Sequence, residues 1–397
     1  MKHVSQVVSE VLRGIELERA KKYLVERRGD PLEAIPTGGG VVNVYFVVEA
    51  LSDLVLRHEG GDDLTEVNIR GYEVPAITDS KLDGAYRRTA IQQIGYVFKD
   101  HASDIRTAIE DTLRKLMLAS DIKTKAIAKA LLGLARLEVL DKPYSCAVRP
   151  YAVGGRDYIG GMCRECPNCY LFGFAVPEEG RGGKSVKVPV EVEEGGKVKA
   201  VEVAIGQYNV QSRVRGDLYP ATAPSSIITG FRTHNAVDDV TKTTGQALIT
   251  IRYVRAGSVF VGKLAYYDVS LNELVFLLAT LARIPRIGAM WSDYGRVKIY
   301  VPAILFADQE AGSGYEIAER ILTEELPKND NRPLPLEKVR EVVVSYAEEF
   351  RDLGYLYADR ELSDRLLKLS REAMKDIVLS AWVDTIKLKV AYEHFTT

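Results

Sequence analysis

The alternation of apolar and polar positions changes period several times along the chain, most informatively between Phe231 and Pro302. From Ala247 to Tyr253, Leu248, Thr250 and Arg252 alternate with Ile249, Ile251 and Tyr253, a period of two that predicts a strand. Val259 to Tyr267 has the same character. The turn residues Arg255-Ala256-Gly257 between them predict that the two strands pair as an antiparallel hairpin. Ser270, followed three residues later by Glu273, reads as a capping box opening an amphipathic helix that runs through Leu281. A loop punctuated by Gly288 and Gly295 follows, and Val297, Ile299 and Val301 begin another strand. Strand, strand, helix, loop and strand together predict an α+β sheet with its helices on one face.

The remaining pattern extends this layout. Val4, Val7, Val8, Val11, Leu12 and Ile15 recur at helical spacing, predicting one helix over residues 3–27 closed by Gly29-Asp30-Pro31. The β-branched run Val41 to Val48 predicts a core strand. Thr78-Asp79-Ser80 supplies cap residues for a helix from about Lys81, and Ser103–Leu118 and Asp121–Leu140 read as two further amphipathic helices. Residues 176–203 alternate through Gly195-Gly196 as a charged hairpin, with Pro189 placing it at an edge. The tail, residues 310–397, is helical, over Leu336–Leu353 and Leu362–Val390. The organisation predicted is an N-terminal helix (1–35), a discontinuous core (36–100 and 225–305), a helical insertion (101–140), a cysteine lobe (141–205), an arm (206–235) and a C-terminal helical lobe (306–397).

Composition changes this picture little. With 397 residues, 46% hydrophobic and 27% charged, the chain can bury a large core and form more than one domain. No apolar run of membrane length and no secretory signal are present, so the cytoplasm is the expected location. Charge is more telling in its distribution than in its net value of −2. Residues 303–397 hold 13 Lys and Arg against 19 Asp and Glu, net −6, which leaves +4 for the first 302. A locally basic groove is therefore compatible with a nearly neutral chain.

The sharpest chemical signal is the cysteines. Cys146, Cys163, Cys166 and Cys169 are the only four in the chain, and the last three stand at two-residue gaps. A turn can converge those three thiols on one ion, and Cys146 would close a tetrahedral thiolate site. Structural zinc is the reading favoured. Disulfides, an iron–sulfur cluster, and His58, His101 or an acidic residue in place of Cys146 are the alternatives. Four thiolates would leave no open position for catalysis.

A second signal is the interleaving of cations with aromatic residues. Arg213, Arg215, Arg232, His234 and Lys242 alternate with Tyr208, Tyr219 and Phe231, a composition suited to single-stranded RNA, in which cations meet phosphates and rings stack on bases. Lys81, Arg87 and Arg88 lie on the first turns of the helix near Thr78, where free backbone N–H groups favour phosphate.

The segments PAITDSKLDGAYRR (75–88), HNAVDDVTKTT (234–244), RAGSVFVGKL, LNELVFLLATL and RIGAMWSDYGRVKI, taken in order, resemble the motifs of the RAMP superfamily of CRISPR RNA-binding proteins. With its cysteine-bearing insertion, the whole chain is most similar to the backbone subunit of type I-D CRISPR interference complexes. That resemblance implies an RRM/ferredoxin-like antiparallel core with inserted helical and zinc-binding lobes. It implies a non-catalytic protein whose copies polymerise along a single-stranded guide RNA (crRNA). Its partners would be the other subunits of the complex, with target DNA held through the guide, and a β-hairpin thumb would fold over the RNA. A RAMP-type endoribonuclease is the rival reading, using His234 with Asp79, Asp83 or Asp238. A zinc-lobed scaffold that binds no nucleic acid is a third.

Overall fold

The computed structural model describes residues 2–27, 39–57, 64–134, 146, 150–153, 156–159, 162–175, 186–205, 208–237, 244–290 and 292–396. In chain order the strands are β1 (Val41–Ala50), β2 (Glu66–Ile69), β3 (Tyr72–Thr78), β4 (Pro150–Val153), β5 (Arg156–Ile159), β6 (Val186–Glu194), β7 (Lys197–Ile205), β8 (Val214–Arg215), β9 (Leu218–Pro220), β10 (Thr229–Val237), β11 (Thr244–Val254), β12 (Val259–Tyr267), β13 (Val297–Ala307) and β14 (Gly354–Ala358). The longer helices are α1 (Lys2–Val11), α2 (Asp79–Leu116), α3 (Ile122–Leu134), α4 (Pro167–Phe172), α5 (Leu271–Ala282), α6 (Gly314–Arg320), α7 (Leu336–Glu348), α8 (Leu362–Leu367) and α9 (Arg371–Thr396).

The central sheet has the order β14-β13-β1-β12-β8 and is antiparallel throughout. Strand β1 lies in its middle because it is apolar on both faces. Val42, Val44, Phe46 and Val48 face one core with α2, α5 and α9, while Tyr45 and Val47 face a second with α6 and α7. Both faces of the sheet are therefore covered around β1, and Tyr45 and Phe46 have no open surface on which a base could stack. Asn43, buried in β1, accepts from Ala311 N at 3.0 Å and donates to Gln309 O at 3.1 Å, which ties the chain after β13 back to the sheet.

Several expectations hold. The Ser270 capping box forms in both directions, with Glu273 N donating to Ser270 Oγ at 3.2 Å and Ser270 N donating to Glu273 Oε2 at 2.9 Å. Of the hairpin expected over 176–203, residues 176–185 lie outside the described residues and the rest forms as β6–β7, with Gly195 and Gly196 turning it at φ of +58° and +75°, values at which other residues are strained.

Others are corrected. Strands β11 and β12 do not pair. β11 pairs with β10, and β12 joins β1 from Val41↔Tyr267 to Glu49↔Val259. The turn at Arg255–Gly257 exists, but Gly257 N donates to Ala50 O at 2.7 Å and Ala50 N to Ser258 O at 2.9 Å, so β1 takes over the ladder. The N-terminal segment is not one helix: α1 ends at Val11 and Gly14 follows at φ +83°, a helix-ending conformation. By contrast, the predicted Lys81 and Ser103 helices do form as two helices, which meet end to end across a kink at His101 and together make α2. Its apolar stripe (Leu82, Tyr86, Ile94, Val97, Ile105, Ile109, Leu113) continues past that kink. The tail is not purely helical either, because β14 forms an edge of the central sheet. Among the described residues no helix is long and apolar enough to cross a membrane.

Candidate metal centre and nucleic-acid interface

Cys166 is the N-cap of α4, Pro167 stands in its first turn, and Cys169 follows within the helix. Pro fits there because the first helical N–H has no partner to lose. The Sγ atoms of Cys146, Cys163, Cys166 and Cys169 all lie within 4.8 Å of one another. Cys169 Sγ is 3.4 Å from that of Cys146, 3.7 Å from Cys163 and 3.9 Å from Cys166. A single ion with metal–sulfur bonds of about 2.3 Å has tetrahedral edges of about 3.8 Å, so the donor set fits one ion. Two further donors face the sulfurs: Arg164 N at 3.2 Å from Cys169 Sγ and Asn168 Nδ2 at 3.6 Å from Cys146 Sγ. Such outer contacts orient thiolate ligands. Hydrogen bonds from Cys163, Cys166 and Cys169 hold the Cys146 thiol well below its ordinary range, while burial pushes Cys166 up. Cys146 thus completes the set. His58 lies outside the described residues, and His101 faces Asp104 at the α2 kink, 3.3 Å away.

The cations expected to meet RNA divide into distinct environments. Arg213 is a correction: its side chain is buried rather than presented to a ligand. Its Nη2 lies 2.6 Å from Glu273 Oε1, its Nη1 3.0 Å from Glu273 Oε2, and Nη1 also donates to Asp268 O at 2.8 Å. Arg27 Nη2 holds the same carboxylate at 2.8 Å. With four of its five N–H donors engaged inside the protein, this buried guanidinium is not placed to meet a phosphate. Arg87 is largely committed as well, since Nη1 donates to Phe172 O and Nη2 to Gly173 O, both at 3.1 Å.

Lys81, half-buried, and Arg88, exposed, stand on the first turns of α2. The Arg88 guanidinium lies back over Gly84, where an added Cβ would come within 3.3 Å of Nη1. Arg215 is exposed and its Cζ sits 4.4 Å above the Tyr267 ring. Arg232, exposed on β10, is 3.3 Å from Asp53 and lies over the Tyr253 and Tyr294 rings. His234 pairs across the β10–β11 ladder with Ile249. Lys242 and Asp238 lie outside the described residues.

Acidic groups share the Arg215 neighbourhood, Asp217 from two residues away in sequence and Glu310 from a distant loop that local sequence could not place there. Asp79 accepts from Tyr219 Oη at 2.7 Å, and Lys263 Nζ lies 2.6 Å from Glu310. Tyr267 also donates to Glu310. Burial pushes Asp83 and Asp217 up to about 6 against the opposing pull of Arg87 and Lys263 respectively, with Asp79 adding to the rise at both. The stretch expected to form an arm is buried at Tyr208, Val210, Arg213, Tyr219, Ala221 and Ala223. The end of that stretch, β10, pairs with β11 in a two-stranded hairpin outside the central sheet, where Phe231 is 72% exposed.

No curated protein sequence matches the chain. The crystal structure of Thermofilum pendens Csc2 is 22% identical, covers 97% of this chain and 96% of its own, and superposes with a TM-score of 0.56, which shows a shared fold. Two chains from CRISPR RNA-guided surveillance complexes, one in a pre-nicking state, are 11% and 10% identical. They cover 86% of this chain, and 100% and 99% of their own, with TM-scores of 0.42 and 0.41. The sequence pattern of the Csc2 CRISPR family matches residues 30–391, from before β1 into the last turns of α9, and the chain therefore belongs to the Csc2 CRISPR family.

Proposed function

We infer that this protein is the backbone subunit of a type I-D CRISPR interference complex, binding single-stranded guide RNA as a head-to-tail row of copies. The observation that carries this reading is family membership across residues 30–391. The sorting of its cations agrees with it, because Arg88, Arg215 and Arg232 remain exposed while Arg213 is internal. Recognition would be of sugar-phosphate shape, leaving sequence to pairing between guide and target. Each copy would meet the next through unlike surfaces, the arrangement that gives open filaments. Other subunits of the complex, and target DNA through the guide, complete its partners.

The fold supports the reading. α2 follows β1, α5 lies between β12 and β13, and β1 is antiparallel between those two strands, the order an RRM/ferredoxin-like core would have. β8 stands where the fourth strand would be. Since both sheet faces are covered, RNA would run along the edge marked by Lys81, Arg88 and Arg215. The β10–β11 hairpin, with Arg232, His234 and Phe231 and with Lys242 between its strands, would be the thumb. The four cysteines would hold structural zinc, because their separations match the tetrahedron of one ion and an iron–sulfur cluster would spread its ligands over several metals.

The test is binding of the purified protein to unstructured single-stranded RNA across a salt series, with the RNA recovered and sized. Intact RNA and a log–log salt slope of about −0.7 per phosphate contact are expected. Shortened RNA would promote the endoribonuclease reading, and no binding at low salt would leave only the zinc-lobed scaffold.

A further inference from the structure

Helix α4 has six residues, too few to hold itself together in water. Its first turn carries Cys166 and Cys169 of the four-cysteine cluster. Its other end presents carbonyls that no helical N–H can reach. Two arginines from other parts of the chain take them in succession. Arg213 Nε donates to Tyr170 O at 3.0 Å and Arg213 N to Leu171 O at 2.8 Å. Arg87 Nη1 and Nη2 take Phe172 O and Gly173 O. The charges also suit the negative end of the helix. Gly173 makes the approach possible, since with φ of +77° an added Cβ would stand 2.5 Å from Val210 O and 2.7 Å from Ser212 N.

These hooks belong to the elements that bear the exposed cations. Arg87 precedes Arg88 on α2, and Arg213 lies two residues before Arg215. Arg213 O in turn accepts from Tyr267 N at 2.8 Å, and Tyr267 carries the Arg215 guanidinium on its ring. We propose that metal in the four-cysteine site acts on RNA binding through α4. By fixing that helix it fixes Arg87 and Arg213, and so sets Arg88 and Arg215 in register along one RNA backbone. Arg87 and Arg213 are then positioning residues that touch no RNA. This rests on the RNA-binding reading above.

The experiment compares five forms of the full chain: metal-loaded, stripped by a chelator, refilled with zinc, and the metal-loaded variants Arg87→Gln and Arg87→Lys. Each is measured for affinity to unstructured single-stranded RNA across a salt series and for amide hydrogen exchange. Stripping is expected to weaken RNA binding roughly 5- to 150-fold, the span of ordinary coupling between sites, with refilling restoring it. It should also speed exchange at Val210 N and Arg213 N, which donate to Phe174 O and Leu171 O. Arg87→Gln should retain its metal and lose affinity with an unchanged salt slope. Loss of a direct phosphate contact would instead lower the slope by about 0.7. Arg87→Lys, which can reach one carbonyl, should restore part of the affinity.

Unchanged affinity and unchanged exchange in a stripped protein that keeps its fold overturn the proposal. So does an Arg87→Gln variant that binds normally, or one whose salt slope falls. If no form binds RNA, the binder reading fails, and exchange at Val210 and Arg213 decides separately whether metal and strand are coupled.

Discussion

Glu273 Oε1 lies 2.6 Å from Arg213 Nη2, with the Glu273 side chain fully shut from water and that of Arg213 nearly so. The same carboxylate closes the capping box of α5 and binds Arg27, so one residue ties the chain before β1, the segment leading to β8 and the helix after β12 into a single buried charge cluster. Removing Glu273 leaves Arg213 and Arg27 buried with no counter-charge, so Glu273→Ala is expected to cost roughly 3–5 kcal/mol, seen as a lower urea midpoint. Arg213→Met leaves Glu273 paired with Arg27 and should lower the midpoint less.

The same cluster should govern acid stability. Burial would raise the Glu273 carboxyl, but Arg213 and Arg27 overcome it and hold it at about 2. Its folded value lies below the ordinary value of about 4.3, so the contribution, roughly 3 kcal/mol, is present above that pH and is lost as the pH falls towards 2. Acid titration of wild type and Glu273→Gln should show the wild type losing its advantage across that window.

Asp83 and Asp217 run the other way. Burial lifts both to about 6, so the folded state holds their protons more tightly than the unfolded chain, and stability is lost as the pH rises through 6. Asp83→Asn should stabilise at pH 7.5 by roughly 1–2 kcal/mol after allowance for solvent screening and change little at pH 4; Asp217→Asn, at an exposed position, should act in the same direction but more weakly. If Arg215 meets phosphate, RNA should bind more tightly at pH 5.5 than at pH 7.5, with the difference reduced in Asp217→Asn.

Metal analysis of the purified protein should find one zinc per chain. Cys146→Ser or Cys169→Ser should lose it, and thermal unfolding should shift downward in proportion, because the binding energy of a structural ion is folding energy.

Arg215→Gln is expected to fold normally and to lower the RNA salt slope by about 0.7, as an exposed phosphate contact should. Arg213→Gln would instead show its defect in the urea midpoint. The contrast separates two arginines that look equivalent in the sequence.

What the sequence alone determined was whatever depends on a few neighbouring residues. Ser270 and Glu273 stand three apart and form the capping box, Gly195-Gly196 makes the turn of a hairpin, and Val41–Ala50 forms a strand apolar on both sides. Cys163, Cys166 and Cys169 announce a thiolate site by spacing, and Cys146 joins them at Sγ distances that suit one ion. Tertiary structure decided the choices between competing partners. Strand β12 could in principle pair with β11 across a tight turn, but β1 offers a longer apolar edge, and β11 turns to β10 instead. Arg213 and Arg215 carry the same charge two positions apart, yet one meets Glu273, 60 residues away in sequence, and the other meets solvent and the Tyr267 ring. Strand pairing and the neutralisation of buried charge depend on which distant groups arrive at the same place, and local pattern carries no record of that.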